Sequence, residues 1–223
     1  MSVTSRLRLA ILISGRGTNM VAIARACAGA QIAADVRVVI SDQPGAAGLQ
    51  RARELGLATQ VVDLAAFRTA TGVDRNAFET ALAAAIDASK AEVVVLAGFM
   101  RVLSAGFASR YAGRLLNIHP SLLPRHKGLD THARALAAGD REHGASVHFV
   151  TAELDGGPVV LQGRVPVLPG DDVATLSARV HAIEHIIYPQ AIGLLAEHRL
   201  LWNNGSPTLD GIALQSCSNA SPA

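Results

Sequence analysis

Short apolar runs that alternate with helical segments restrict the fold of this chain more than any other feature. The runs Leu9–Ile13, Val36–Ile40, Glu92–Ala97 and Leu115–Ile118 are each followed by glycine or a polar residue, and a shorter run lies near Ala58–Val62. Continuous apolar strands that alternate with helices are typical of a parallel sheet covered on both sides. The pattern predicts an α/β fold with a doubly wound, mostly parallel sheet and helices on both faces.

The pattern changes in the last third of the chain. The runs Ala145–Thr151 and Val159–Val167 flank the turn residues Asp155–Pro158, which predicts an antiparallel pair of strands. A long helix, capped by one of two adjacent aspartates, is predicted over about 172–197. Beyond it we expect a short strand and then a flexible tail over 204–223, which is rich in Asn, Ser, Gly and Pro.

Composition argues against several classes of function. The net charge is +2 and only 17% of residues are charged, which is too little for a nucleic-acid surface. The only cysteines, Cys27 and Cys217, form no metal-binding or disulfide pattern, which favours a reducing compartment. The first apolar run is too short for a signal peptide or a membrane span. We therefore expect a cytoplasmic protein that binds small molecules and neither a membrane nor a nucleic acid.

The glycine-rich turn after the first strand predicts an anion site. Gly15 and Gly17 let the backbone turn tightly, and free N–H groups at the start of the next helix attract phosphate. Thr18 and Asn19 add side-chain donors. The third glycine of a dinucleotide fingerprint is missing, but Asp42 follows the second strand, where a ribose-binding acid sits. A purely structural turn, a nucleotide-binding module and a nicotinamide-dependent oxidoreductase therefore stay open as alternatives.

Two polar residues at the end of a later strand suggest catalysis. Asn117 and His119 are two positions apart, so they point to the same face, and Pro120 ends the strand behind them. An amide and an imidazole there can bind one ligand and move a proton. Asp155, in the downstream turn, would favour the charged imidazole if it lay beside His119. The alternatives are that the pair satisfies backbone groups and that Asp155 only forms the turn.

Four residues of the long helix share one face at three- and four-residue spacing. They are His181, Glu184, His185 and Tyr188. This face either lines a cleft or is a solvated stripe. The helix carries no His-Glu-x-x-His pattern of a metalloprotease, and we expect no catalytic metal.

Six runs between about residues 9 and 200 follow one another in the order of a known family. They are Ile13–Asn19, Val93–Arg101, Leu116–Pro124, His143–Val150, Leu154–Pro158 and Glu184–Pro189. In these runs the chain resembles the phosphoribosylglycinamide formyltransferase family. The Asn-x-His-Pro-Ser-Leu-Leu-Pro run is shared by formyl-folate enzymes generally, whereas the glycine-rich loop together with the Glu184 helix is more particular to the glycinamide branch.

The resemblance implies a reaction and a set of site residues. The formyl group of the co-substrate 10-formyltetrahydrofolate would pass to the amine of 5-phosphoribosylglycinamide, in purine biosynthesis and without a metal. The implied catalytic residues are Asn117, His119 and Asp155, supported by Ser146 and His148. The implied ribonucleotide site comprises Gly17, Thr18, Asn19 and Glu184. The implied folate site comprises Arg75, Met100, Arg101, Val102, Leu103, Asn117, Thr151, Ala152, Glu153, Leu154 and Asp155.

The resemblance also implies the domain organisation. A formyltransferase domain would span 1–203, with a phosphate-binding half over 1–115 and a folate and catalytic half over 116–203, in a monomer or a homodimer. The nearest alternatives are a formyltetrahydrofolate hydrolase or another formyl-folate transferase, which carry an extra domain before or after this region. We expect no such extra domain here, which favours the glycinamide branch.

The chain departs from the family pattern at three places. Arg16 replaces a smaller polar residue in the glycine-rich turn, where it can add a phosphate contact or merely be exposed. The segment Arg125–Asp130 differs from the Pro-Gly-Leu-His version of the family. The segment Phe67–Asp74 is longer than usual, which bears on the assignment of Arg75. None of these departures touches Asn117, His119 or Asp155.

Overall fold

The computed structural model of the protein describes residues 6–203 and 205–215. Its strands are β1 (Leu7–Ile13), β2 (Ala34–Ser41), β3 (Thr59–Val61), β4 (Arg68–Thr69), β5 (Gly72–Val73), β6 (Val93–Leu96), β7 (Leu115–His119), β8 (Glu142–Phe149), β9 (Val159–Pro166), β10 (Leu200–Asn203), β11 (Ser206–Leu209) and β12 (Ile212–Ala213). Its α-helices are α1 (Thr18–Ala28), α2 (Ala47–Glu54), α3 (Arg75–Ala88), α4 (Ala105–Arg110), α5 (Thr131–Ala137) and α6 (Val173–Ala196). None of the helices in these ranges is long and apolar enough to cross a membrane.

One seven-stranded sheet organises the molecule, in the order β3-β2-β1-β6-β7-β8-β9. Within this sheet, β3, β2, β1, β6 and β7 pair in parallel, and β8 and β9 add an antiparallel end. This confirms the predicted sheet and its antiparallel continuation. Because the parallel strands β1, β6 and β7 are neighbours, their carboxyl ends meet at one edge, which is where open α/β sheets place their sites.

Strand β1 shows why the sheet is covered on both faces. Leu9, Ile11 and Ile13 are buried in the core that also contains apolar side chains of α1, α2 and α6. Ala10 and Leu12 point the other way, into the core formed with α3 and α4. Alternate residues of a strand face opposite sides, so an uninterrupted apolar run requires a cover on each side. The predicted two-sided helical cover is confirmed.

Helix α6 is held by side-chain hydrogen bonds at its start and near its middle. Asp172 accepts the backbone N–H of Thr175 at 2.8 Å, and the Thr175 hydroxyl accepts the N–H of Asp172, which makes a capping box. Further along, the Tyr188 hydroxyl lies 3.0 Å from the carbonyl oxygen of Leu96 and 3.1 Å from that of Leu116. These contacts hold the helix against the carboxyl end of β6 and the start of β7, with Glu184 one turn away.

The structure corrects the expected flexible tail over 204–223. Residues 206–213 form β11 and β12, which pair with β10 in a separate three-stranded sheet. Apolar packing is the reason, because Trp202 lies edge-on to Phe149 at 4.9 Å between ring centroids and Leu209 packs on the main core. Residues 204 and 216–223 of the expected tail lie outside the described residues.

Several short elements carried too weak a periodic signal to be predicted. Helices α4 and α5 span only six and seven residues. The segment Phe67–Asp74 contains the β4–β5 hairpin, so its extra length is folded into a local turn. The division of the chain into a phosphate-binding half and a catalytic half stays a prediction, and the main sheet runs through both.

Candidate active site at the carboxyl edge of the sheet

A cavity of about 270 Å³ opens where the parallel strands end. Its wall is formed by the glycine-rich turn after β1, by the residues that end β6 and β7, and by His132, His181 and Glu184 from α5 and α6. His181 and Glu184 line this cavity and Tyr188 is fully buried, so this part of the α6 face is not a solvated stripe.

The glycine-rich turn delivers the start of α1 to this cavity. Gly17 caps the helix in a left-handed conformation, with φ 68° and no side-chain cap for the first N–H groups. Behind the turn, the Gly48 N–H donates to the Gly15 carbonyl oxygen at 2.9 Å, and a Cβ on Gly17 would meet the Gly48 Cα at 2.9 Å. Sequence reasoning missed Gly48, for which a small residue in the first turn of α2 was the only signal.

Asn19 and Glu184 join α1 to α6 at the bottom of the cavity. The Asn19 amide nitrogen donates to a Glu184 carboxyl oxygen at 2.8 Å. Glu184 is only 4% exposed, and this burial raises its pKa to about 7, against the hydrogen bond from Asn19. The Asn19 side-chain oxygen is buried and has no hydrogen-bond partner within the described ranges. A carboxyl group and an unused acceptor together suit a ligand that donates hydrogen bonds, such as an amine.

The pairing of β7 with β8 places four polar side chains on one face of the sheet. Asn117 lies opposite His148, and His119 lies opposite Ser146. Directly opposed residues of antiparallel strands have their side chains on the same face, a few ångströms apart. The Asn-x-His and Ser-x-His spacings therefore belong to one site.

His148 orients the Asn117 amide. The His148 Nδ1–H donates to the Phe149 carbonyl oxygen at 2.9 Å, and burial lowers the pKa of His148 to about 4, so the ring is neutral near pH 7. Its Nε2 is then an acceptor and receives an N–H from the Asn117 amide nitrogen at 3.1 Å. Asn117 keeps a second N–H for a ligand.

His119 lies between a carboxylate and a backbone carbonyl. Its Nδ1 is 3.4 Å from an Asp155 carboxyl oxygen, and its Nε2–H donates to the His126 carbonyl oxygen at 2.9 Å. The same Asp155 oxygen accepts the Gly128 N–H at 2.9 Å. Both ring nitrogens thus face acceptors, an arrangement that the doubly protonated imidazolium satisfies.

Ser146 supports the chain that follows the His119 strand. Its hydroxyl donates to the Ser121 carbonyl oxygen at 2.7 Å and accepts the Leu123 N–H at 3.0 Å. Gln162 on β9 also donates to this hydroxyl at 2.9 Å, a contact that sequence reasoning missed because nothing local marks it. The segment after Pro120 is thereby fixed against the sheet.

The residues expected along the folate site fall into two groups. Met100, which is 68% exposed, lines the cavity, and its N–H donates to the Ser14 hydroxyl at 2.9 Å. Arg101 Nε lies 2.6 Å from a carboxyl oxygen of buried Asp42. The acid at the ribose position is therefore engaged by Arg101, which weighs against the nicotinamide alternative.

The second group lies outside the cavity wall. Val102 and Leu154 are exposed apolar side chains, at 61% and 53%, and Leu103 packs against the second core. Residues 151–153 follow β8, where Lys127 donates to Glu153 at 2.7 Å. Arg75 is the first residue of α3 and is exposed. Their folate contacts stay predictions.

Comparison with known proteins assigns the family. The formyl transferase model matches residues 7–192. Phosphoribosylglycinamide formyltransferase of Escherichia coli K12 is 51% identical over 205 residues, which are 92% of this chain and 94% of the relative. The solved phosphoribosylglycinamide formyltransferase of Coxiella burnetii superposes with a TM-score of 0.86 at 45% identity, over 94% of this chain and 96% of that one.

A solved deformylase also shares the fold. A solved formyltetrahydrofolate deformylase of Pseudomonas putida superposes with a TM-score of 0.81 at 26% identity, over 94% of this chain and 72% of its own. The resemblance seen in the sequence motifs is confirmed by these matches. From the geometry of the sheet edge and these similarities, we conclude that the chain belongs to the formyl transferase family.

Proposed function

We propose that this chain transfers the formyl group of 10-formyltetrahydrofolate to the amine of 5-phosphoribosylglycinamide, a step of purine biosynthesis. Membership of the family and 51% identity to a phosphoribosylglycinamide formyltransferase support the activity. The observation that carries the mechanism is the buried contact between His119 and Asp155, 3.4 Å apart, next to the Asn117 amide.

The ribonucleotide would bind in the cavity through both its phosphate and its amine. Its phosphate would bind the free N–H groups of Gly17, Thr18 and Asn19, where the helix dipole of α1 favours an anion. The glycinamide amine would lie near Glu184 and the side-chain oxygen of Asn19, which has no partner among the described residues, and both would accept its hydrogens. The amine is thereby directed towards the end of β7.

Asn117 and His119 would stabilise the tetrahedral intermediate. When the amine nitrogen attacks the formyl carbon, the formyl oxygen gains negative charge, and donors placed for it are worth about 10²–10³ in rate each. Asn117 offers its second N–H. His119 offers Nε2–H, for which the formyl oxygen displaces the His126 carbonyl seen in this structure.

His119 and Asp155 would also move the protons. Attack forms the new C–N bond, and collapse of the intermediate breaks the bond between the formyl carbon and the folate nitrogen. The attacking nitrogen loses one proton and the leaving nitrogen gains one, so the exchange balances. His119, held beside the Asp155 carboxylate, can relay this proton directly or through water. Holding both substrates in one cleft, in the orientation needed for attack, would supply much of the remaining rate enhancement.

The folate would lie along the two loops that leave β6 and β8. Met100 and Val102 on one loop, and Leu154 on the other, expose apolar surface that suits a flat heteroaromatic ring. Arg75, Arg101, Leu103 and residues 151–153 complete the proposed folate site. Ser146 and His148 hold the catalytic strand behind it.

A transfer assay tests the activity. Tetrahydrofolate release from 10-formyltetrahydrofolate is measured with and without 5-phosphoribosylglycinamide, and release is expected only with the ribonucleotide. Release that does not depend on the ribonucleotide would instead indicate a hydrolase like the Pseudomonas putida deformylase.

Two variants test the catalytic residues. His119→Ala and Asp155→Asn should each lower kcat by roughly 10²–10⁴ while the protein stays folded, because proton transfer and charge stabilisation are lost. Asp35→Asn, at an exposed aspartate paired with Arg6, is the matched control and should be unaffected. A near-normal kcat in either active-site variant removes that residue from the mechanism.

A further inference from the structure

The loop between β7 and α5 carries a buried polar contact that the proposed mechanism does not use. The His126 Nε2–H donates to an Asp140 carboxylate oxygen at 2.7 Å, and the Asp140 side chain is only 4% exposed. Arg125 binds the other oxygen of the same carboxylate. The His126 side chain is itself 12% exposed, so the contact is shielded from water. Shielded pairs of this kind hold their geometry better than exposed ones.

The backbone of the same residue reaches the catalytic histidine. The His126 carbonyl oxygen accepts the His119 Nε2–H at 2.9 Å. His126 has φ 53°, in the left-handed region that non-glycine residues seldom adopt. Such a conformation persists when its surroundings hold it, and the Asp140 contact is one of the contacts that hold this loop. One residue therefore connects a buried carboxylate to the ring that would move the proton.

We propose that His126 is a positioning residue for His119. Its side chain, anchored by Asp140, holds its carbonyl oxygen where that oxygen fixes the tilt of the His119 ring and keeps a proton on Nε2. The ring is then already oriented when the formyl oxygen displaces the carbonyl. This inference rests on the proposed function, because it concerns the residue that performs its proton transfer.

Asp155 alone holds the ring less firmly. Its oxygen lies 3.4 Å from His119 Nδ1, which is longer than a strong charge-assisted hydrogen bond. The 2.9 Å contact to the His126 carbonyl is the shorter of the two. Without the Asp140 anchor, this carbonyl can leave its position, and the His119 ring loses the partner that sets both its rotation and its protonated nitrogen.

Kinetics on two His126 variants test the proposal. His126→Ala should lower kcat about tenfold and change KM for both substrates by less than about twofold. A misplaced catalytic group slows the chemical step but leaves the binding of the substrates nearly unchanged. His126→Gln, whose amide can still donate to Asp140, should recover most of kcat. Arg164→Ala is the matched control, since it removes an exposed contact to Glu142 away from this loop.

A double-mutant cycle separates positioning from general loosening of the fold. If His126 and Asp140 act through one contact, His126→Ala combined with Asp140→Ala should lower kcat no further than the more severe single change. Additive losses, an unchanged kcat in His126→Ala, or a rise in kcat that would indicate an inhibitory latch each overturn the proposal. Failure of His126→Gln to recover kcat with a native Tm also overturns it.

The ring of His119 supplies a readout that does not need activity. In ¹⁵N-histidine-labelled protein, Nε2 of His119 should be protonated in the wild type and in His126→Gln, and should exchange between tautomers in His126→Ala. An identical His119 signal in all three overturns the positioning role. If the wild type shows no ribonucleotide-dependent transfer, the proposed function fails, while this signal still reports whether His126 orients the ring.

Discussion

Burial sets the charge of the individual residues around the cavity, and it acts in opposite directions on acids and bases. The pKa of Glu184 is raised to about 7, whereas the pKa of His148 is lowered to about 4, in both cases chiefly because desolvation penalises the charged form. Near pH 7, Glu184 is therefore partly protonated at the position proposed for the substrate amine, and the His148 ring beside Asn117 is neutral. Each can be measured.

Replacement of Glu184 by glutamine should make stability less dependent on pH. Because the folded protein holds the Glu184 proton more tightly than the unfolded chain, its contribution to stability is complete below pH 4.5 and is lost as pH rises through about 7. This difference corresponds to about 3 kcal/mol. Urea unfolding should show Glu184→Gln gaining about that much relative to the wild type between pH 4.5 and pH 8.

A matched control for the Glu184 prediction is Glu142→Gln, at an exposed glutamate on β8. Its stability should follow that of the wild type at every pH. If the curves of Glu184→Gln and the wild type also run parallel, Glu184 does not carry a raised pKa.

Arg16 belongs to the same cavity and should contribute to phosphate binding. Its exposed side chain lines the cavity, and its charge adds to burial in lowering the pKa of His181. Arg16→Ala should raise KM for the ribonucleotide about tenfold at unchanged kcat, since charge-assisted contacts to an anion contribute about 1.5 kcal/mol or more. The salt dependence of KM should also weaken.

The control for Arg16 is Arg37→Ala, at an exposed arginine on β2. Steady-state kinetics at two ionic strengths distinguish the alternatives. An unchanged KM in Arg16→Ala means that the arginine is merely exposed.

Between secondary-structure elements, the contact of α2 with the glycine-rich turn determines the shape of the phosphate site. A Cβ on Gly48 would meet the Ile13 side chain at 2.6 Å and the Gly15 carbonyl oxygen at 2.9 Å. Gly48→Ala should therefore push the turn into the cavity, lower stability by about 1–3 kcal/mol and raise KM for the ribonucleotide. Chemical unfolding and steady-state kinetics measure the two effects.

Gly45→Ala is the control for this contact. A Cβ at Gly45 would meet nothing within 4 Å, so stability and KM should stay close to the wild type. If Gly48→Ala behaves like Gly45→Ala, the close approach of α2 does not shape the turn.

For the molecule as a whole, the buried histidines should dominate the loss of stability in acid. The pKa values of His148 and His143 are lowered to about 4, mainly by burial, so the unfolded chain binds more protons between pH 6.5 and 4. Stability should fall across this range as pH falls, and Glu184 opposes the fall above pH 4.5. His148→Gln should remove about 3 kcal/mol of this decrease, as measured by urea unfolding at several pH values.

The slope of stability against pH is the decisive quantity for His148, because glutamine also changes stability by an amount that does not depend on pH. A variant with the same slope as the wild type would show that His148 titrates normally in the folded protein.

Local rules predicted the parts of the molecule in which neighbours in the sequence are neighbours in space. Alternation along Leu9–Ile13 implied two covered faces, the two-residue step from Asn117 to His119 implied one shared face, and Gly17 implied a turn at a helix start. These follow from strand and helix periodicity and from the conformational freedom of glycine. The expectation of a flexible tail was wrong for residues 206–213, because they pair with the strand that carries Trp202, and Leu209 packs on the core despite the polar composition around it.

Contacts between distant segments followed from the order of strands and the conformation of loops, which periodicity does not encode. The 3.4 Å approach of Asp155 to His119, the Asn19–Glu184 hydrogen bond and the packing of Gly48 on the turn all join separate elements. The His126 carbonyl reaches His119 through a residue in the left-handed conformation, which no local pattern in the sequence marks. Residue types and their spacing thus indicated the chemistry, and folding brought the groups within reach of one another.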